Sequence, residues 1–245
     1  MVNRWILTAA LCFAVLLMTT IGPAGQSQPA SPGQQRFDEL VRADFFAGIA
    51  GDAAAMNRAM RLIETTLAAD PRRPDVLVWH GAGLIARATQ AFQKGDMATG
   101  GGFWKRGLHE MDEAAKMAPE NVAVLIPRGA TLLEVSRFVP DANESKALLA
   151  TGVGDYEKVL VLQTPYFKYL SDHARGELLF GLAEGLHRLG DRDRSRSYFE
   201  RLLSEARDSR YGSMAAQWLN DPSSVPARQR GCAGCHDKGR ELGGN

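Results

Sequence analysis

The sequence predicts an all-α protein built from stacked antiparallel helix pairs, and three observations predict it. Between Phe37 and Leu219 apolar residues recur with the 3.6-residue period of a helix, not the alternation of a strand. Gly-Asp pairs punctuate the same stretch, at Gly51-Asp52, Gly95-Asp96, Gly154-Asp155 and Gly190-Asp191. No alternating run of Val, Ile and Thr bounded by turn residues competes as a strand. The bulk properties agree. Of 245 residues, 45% are apolar and 23% charged, which excludes whole-chain disorder and a polytopic membrane protein. Lys and Arg number 29 against 28 Asp and Glu, so the basic excess of a dedicated nucleic-acid binder is missing.

The first element is an export signal rather than part of the fold. Met1 to Arg4 carries one positive charge, and Trp5 to Leu17 is an apolar run of thirteen residues. The small-residue stretch Ile21-Gly22-Pro23-Ala24-Gly25 follows. This is the order of a secretory signal peptide, with cleavage placed after Ala24. An uncleaved membrane anchor is the alternative, but the run falls short of the roughly 20 residues that span a bilayer. The expected location is periplasmic or secreted, with no membrane span left after cleavage. Cys12 leaves with the peptide, and the mature chain keeps only Cys232 and Cys235. Residues 25–36, rich in Gln, Ser, Pro and Gly, read as a flexible linker.

Residues 37–220 form the helical domain. Met56, Met60, Ile63 and Leu67 make one apolar stripe, and Trp104, Leu108, Met111 and Ala115 a second. Leu149, Val153, Tyr156 and Leu160 make a third; Leu179, Leu182, Leu186 and Leu189 make a fourth. Glycine suits the left-handed turn that ends a helix, and aspartate caps the next one. Within the helices a pattern recurs: Ala59-x3-Ile63-x3-Leu67-x3-Pro71, Gly107-x3-Met111-x2-Ala114-Ala115-x3-Pro119 and Ser195-x3-Phe199-x2-Leu202-Leu203. These positions resemble the second helix of a tetratricopeptide repeat, and Leu179, Leu182, Ala183, Leu186 and Gly190 resemble its first. Trp79 with Ala82-Gly83 is a looser match to that first helix. The resemblance implies a degenerate helix-pair solenoid that docks a protein partner on its surface. Asp96 to Gly102 reads as an insertion between paired helices, with Gly100-Gly101-Gly102 as a turn or hinge.

Residues 221–245 form the tail, which holds the one chemical motif. Asp221-Pro222 and Pro226 break the last helix, and Gly231-Cys232-Ala233-Gly234-Cys235-His236 follows. C-x-x-C-H is the attachment sequence of c-type haem. Two thiols three positions apart sit on one edge of a turn and can add across the two vinyl groups of one porphyrin. The next residue then presents an imidazole to the iron. Asp237 to Gly244 resembles the continuation of small soluble cytochromes c. That resemblance implies one covalent haem c, with Cys232 and Cys235 as thioether anchors and His236 as the proximal iron ligand. Nine residues follow His236 and none is Met, so the sixth ligand must come from elsewhere. Met214 is the nearest upstream methionine, and His80, His109, His173 and His187 are the candidate imidazoles.

The competing chemistries differ in what they leave unexplained. Structural zinc needs four ligands, and the tail has three. A thioredoxin-like pair needs a βαβ context. A local disulfide would join the two cysteines but leave His236 without a role.

The leading expectation is an exported monohaem protein that transfers one electron at a time, its helical body docking a protein partner, itself a redox protein. The alternative is a non-catalytic scaffold or adaptor with a disulfide-stapled tail; an open iron acting as a sensor or peroxidase is a third reading. In the exported protein, N-terminal sequencing should find a mature chain that starts at Gly25 and lacks Cys12; a retained Met1 would overturn the cleavage assignment.

Overall fold

The computed structural model describes residues 36–222. The signal segment, most of the linker and the C-x-x-C-H motif lie outside them. Among the described residues there are nine α-helices and no strand. They are α1 (Phe37–Ile49), α2 (Ala53–Ala69), α3 (Pro74–Gln93), α4 (Met97–Met117), α5 (Val122–Val135), α6 (Ala142–Gln163), α7 (Asp172–Leu189), α8 (Arg192–Glu205) and α9 (Arg210–Asn220). A short 3-10 helix, Thr164–Tyr169, extends α6. The chain packs as hairpins, α1 on α2, α3 on α4, α5 on α6 and α7 on α8, with α9 laid against α7 and α8. The fold is all-α, as the periodicity predicts. No helix among the described residues is long and apolar enough to cross a membrane.

Three of the four Gly-Asp pairs are the hairpin turns. Gly51, Gly95 and Gly190 have φ of 117°, 79° and 91°, which only glycine adopts without strain. The aspartate after each accepts a hydrogen bond from the next helix: Asp52 from Ala55 N at 2.9 Å, Asp96 from Thr99 N at 3.0 Å and Asp191 from Arg194 N at 3.2 Å. Such a cap contributes about 1 kcal/mol. Gly154-Asp155 lies inside α6.

Two apolar cores meet at α5. Val124 and Leu132 join the core of α1 to α4, while Leu125 and Leu133 join that of α6 to α9. Neighbouring positions on this helix therefore serve opposite sides.

Inside each of three hairpins the two helices touch at a pair of small residues. A Cβ on Gly107 would stand 2.7 Å from the Gly81 carbonyl oxygen, and one on Gly81 would stand 2.7 Å from that of Gly107. Gly129 and Gly152 face each other in the same way across α5 and α6, at 3.2 and 3.0 Å. Between α7 and α8, buried Ser195 donates through Oγ to the Ala183 carbonyl at 2.7 Å. Four residues after the small residue of the second helix comes a large buried one, Met111, Tyr156 or Phe199.

Two expectations are corrected. Asp96 to Gly102 is not an insertion, nor is Gly100-Gly101-Gly102 a hinge: Asp96 is the N-cap of α4, and the glycines lie in its first turns. A Cβ on Gly100 would stand 2.4 Å from the Phe92 ring, so close packing on the end of α3 is what its glycine serves. The second stripe is also rotated. Gly107, Met111 and Ala114 are the buried positions, and Trp104, Leu108 and Ala115 are half-buried beside them. The stripe of α6 is buried as read, and those of α2 and α7 are buried except at Leu67 and Leu189, which are half-buried.

The glycines of α4 separate packing from propensity. Gly102→Ala faces open space and should stabilise the protein by roughly 0.5–1 kcal/mol, whereas Gly107→Ala should destabilise it by roughly 1–3 kcal/mol. Denaturant midpoints of both variants check this; a Gly107→Ala protein more stable than its parent would contradict the backbone contact.

Candidate functional site

The residues predicted to hold a haem, Cys232, Cys235 and His236, lie outside the described residues. Met214 lies within them, on α9, half-buried against the second core. Ser209 caps this helix by accepting from Gly212 N at 3.2 Å. Tyr211, Ala215 and Trp218 form its buried face. The Tyr211 ring lies 5.5 Å from Phe180 in the middle of α7, and Trp218 stacks on Phe199 of α8 at 4.3 Å. Trp218 also meets the His187 ring, near the C-terminus of α7, edge-on at 5.2 Å. Thus α9 runs parallel to α7 and closes the end of the stack.

The four candidate imidazoles fall in different places. His80 is buried, and its Nδ1 donates to Glu110 of α4. His109 is exposed. His173 is half exposed and stands 3.7 Å from Glu177. Both His173 and His187 meet α9, His173 at 5.8 Å from the Tyr211 ring and His187 at 5.2 Å from that of Trp218. Among the described residues no group of three or more His, Cys, Asp or Glu could hold a metal ion.

Three ionic clusters, none legible in the sequence, stitch the hairpins together. In the first, Arg106 donates to Glu110 at 2.8 Å beside the His80 bond, and Arg87 reaches Glu64 of α2 at 3.3 Å. Burial alone would push the Glu110 carboxyl up, but the bonds from His80 and Arg106 outweigh it and hold it below its ordinary range.

In the second cluster, Arg137 after α5 meets Glu184 of α7 at 2.9 Å, both side chains being nearly inaccessible. Arg188 donates to the Leu133 carbonyl at 2.9 Å and to Ser136 Oγ at 2.8 Å. Burial lowers the Arg188 pKa below its ordinary value, with Glu184 opposing it. Arg137 and Glu184, with Glu134, Glu177 and Tyr211, line a cleft of about 40 Å³, too small for an organic substrate.

In the third, Arg128 donates to Asp155 at 3.0 and 3.3 Å and to Asp112 at 2.7 Å. Asp155 is nevertheless pushed up to about 6, because its burial outweighs the attraction of Arg128 and Asp112 adds repulsion.

A larger cleft, about 180 Å³, opens between α4 and α6. Leu108, Leu132, Ala147 and Leu148 form its walls, with Asp112 and Glu144 among its lining carboxylates. Trp104 donates from Nε1 to Glu144 at 3.1 Å. The sequence signal was the Trp104–Leu108 stripe, read there as core.

Asp155 makes stability depend on pH in a definite direction. Its folded pKa exceeds the ordinary 3.8, so the folded state holds this proton between about pH 4 and 6 while the unfolded chain has released it. Its contribution is fully present below about pH 4 and is lost as pH rises through about 6. Asp155→Asn should therefore gain on the parent by up to about 3 kcal/mol between about pH 4 and 7.5. Denaturant unfolding at the two pH values measures the gain; a parent–variant difference that does not change with pH would contradict it.

No protein-family model, no curated protein and no solved structure matches the chain, so its functional reading rests on its own residues.

Proposed function

We propose that the chain is an exported monohaem c-type protein whose helix-pair body docks a redox protein and whose tail exchanges one electron at a time with it. One observation carries this reading: C-x-x-C-H follows an export signal and uses the only two cysteines of the mature chain. The donor set suits the group. Two thiols can form thioethers, and an adjacent imidazole can hold iron. When bound, the haem supplies one-electron exchange at its iron. Cys232 and Cys235 fix the macrocycle to the chain, and His236 holds one side of the metal. Met214, half-buried on α9, is the proposed ligand of the other side.

The body supports the docking half of the reading. The touching small residues of three hairpins agree with the tetratricopeptide likeness, which implies protein binding. The α4–α6 cleft pairs leucine walls with carboxylates. That combination fits a lysine or arginine side chain of the partner, its stem on the leucines and its charge by Asp112 or Glu144.

Coexpressed with a haem-attachment system, the exported protein should gain the mass of one haem and stay coloured after denaturation, because thioethers survive unfolding. Cys232→Ala or Cys235→Ala should weaken attachment. His236→Ala should keep the covalent link and change the absorption spectrum. A colourless chain, lighter by the two hydrogens of a disulfide, would overturn the haem reading and favour a stapled scaffold.

A further inference from the structure

Helix α6 opens on Asp141, whose side chain accepts from Glu144 N at 2.8 Å. In a capping box the glutamate at this position turns back to the N–H of the cap residue. The Glu144 side chain instead reaches toward α4, where its Oε1 accepts from Trp104 Nε1 at 3.1 Å. The indole is a neutral donor, so it orients the carboxylate without compensating its charge. No cation among the described residues pairs with Glu144. Asp112, the other carboxylate of the α4–α6 cleft, is different: Arg128 donates to it at 2.7 Å. The uncompensated charge of the cleft is therefore that of Glu144.

Resting on the docking role given above to this cleft, we propose that its occupant is a lysine of the partner rather than an arginine. The ammonium sits on Glu144, the methylene stem lies on Leu108 and Leu148, and Trp104 is the positioning residue that sets the choice. A lysine ammonium is a compact point charge that one carboxylate oxygen can hold. A guanidinium is a fork, and it binds a carboxylate best by taking both oxygens. Trp104 already engages Oε1, which leaves Oε2 for a single-point donor. The bidentate alternative at Asp112 is weakened as well, because Arg128 holds that carboxylate from the α5 side. Size and lining agree with a lysine. The cleft measures about 180 Å³, room for a four-carbon stem and its head, and Leu108, Leu132 and Leu148 give the stem an apolar bed. None of these contacts involves the haem, so the lysine seat stands or falls separately from it.

Titration of the exported protein with n-butylammonium and n-butylguanidinium chlorides, followed by NMR of the Leu108 and Leu148 methyl groups, tests it. The two probes share one stem and differ only in the head. At low salt n-butylammonium should shift both residues' methyls saturably and bind about threefold more tightly than n-butylguanidinium. Glu144→Gln keeps an acceptor for Trp104 but loses the charge. It should weaken n-butylammonium roughly fivefold, against less than about twofold for Asp112→Asn. Trp104→Phe keeps a ring and removes the donor, which frees both Glu144 oxygens. The preference should then turn to the guanidinium, a reversal that a merely structural Trp104 would not produce. No saturable shift with either cation would overturn the lysine seat together with the docking role of the cleft, while the haem keeps its own test of mass and colour. Tighter binding of the guanidinium to the parent, or a larger loss from Asp112→Asn than from Glu144→Gln, would overturn the seat and leave the cleft a cation site. An unchanged preference in Trp104→Phe would overturn the role of Trp104.

Discussion

The close contact of two helices at a pair of small residues, made inside three of the hairpins, is the constraint from which the rest of the structure follows. Gly81 against Gly107, Gly129 against Gly152 and Ala183 against Ser195 bring helix axes closer than any larger side chain would allow. That approach drops Met111, Tyr156 and Phe199 into the space beside it, where they fill the core from the second helix of each pair. Tyr156 occupies the room that Gly129 and Gly181 leave open. Once this crossing is pinned, the loop end of a hairpin can lengthen without disturbing it. Ser195 follows Ala183 by 12 residues, and the facing glycines of the two preceding hairpins stand about twice as far apart in the chain. The repeat is thus kept in space and lost in sequence length.

Close helices also desolvate whatever polar groups lie between them. Asp155 sits next to Tyr156 on the buried side of α6, and its raised pKa is the consequence of that position. Glu184 lies next to Gly185 in the tightly packed middle of α7, and Arg137 compensates for its burial. Perturbed carboxylates often mark catalytic sites. Here the raised carboxylate, Asp155, is bonded to Arg128 of the neighbouring helix, and the cleft beside Arg137 and Glu184 measures only about 40 Å³; both carboxylates are held in ion pairs. Their work is to hold one hairpin against the next at a fixed register, which is what a docking surface built from several helices requires.

How much of this was legible depended on whether a position is marked by a side chain or by the lack of one. The stripes of α2, α6 and α7 announce themselves by size, and three of the Gly-Asp pairs by the φ and cap that each turn demands. The face of α4 was misjudged because its centre is Gly107, which carries no hydrophobic signal, while Trp104 and Leu108 carry a strong one. The copy Gly152-x3-Tyr156-x2-Val159 went unread for the same reason. The three glycines of α4 suggested a break, yet the Asp96 cap and the packing of Gly100 on Phe92 outweighed their cost to the helix. The C-x-x-C-H motif is local and could be read in full. The meeting of His187 with Trp218 is long-range and could not.

The end of the stack ties the body to the tail. Helix α9 takes the place beside α8 that the first helix of a further hairpin would take, and it is the last helix among the described residues. Tyr211, Ala215 and Trp218 face inward at helical spacing, whereas Ser213, Gln217 and Asn220 are exposed. A polar outer face is how a stack of helix pairs is capped, since it offers no apolar surface for another pair. The chain continues past Asn220 into the C-x-x-C-H tail. It leaves from a helix anchored by two aromatic rings, and Cys232 comes twelve residues later. The root of that segment is therefore fixed to a well-packed end of the stack.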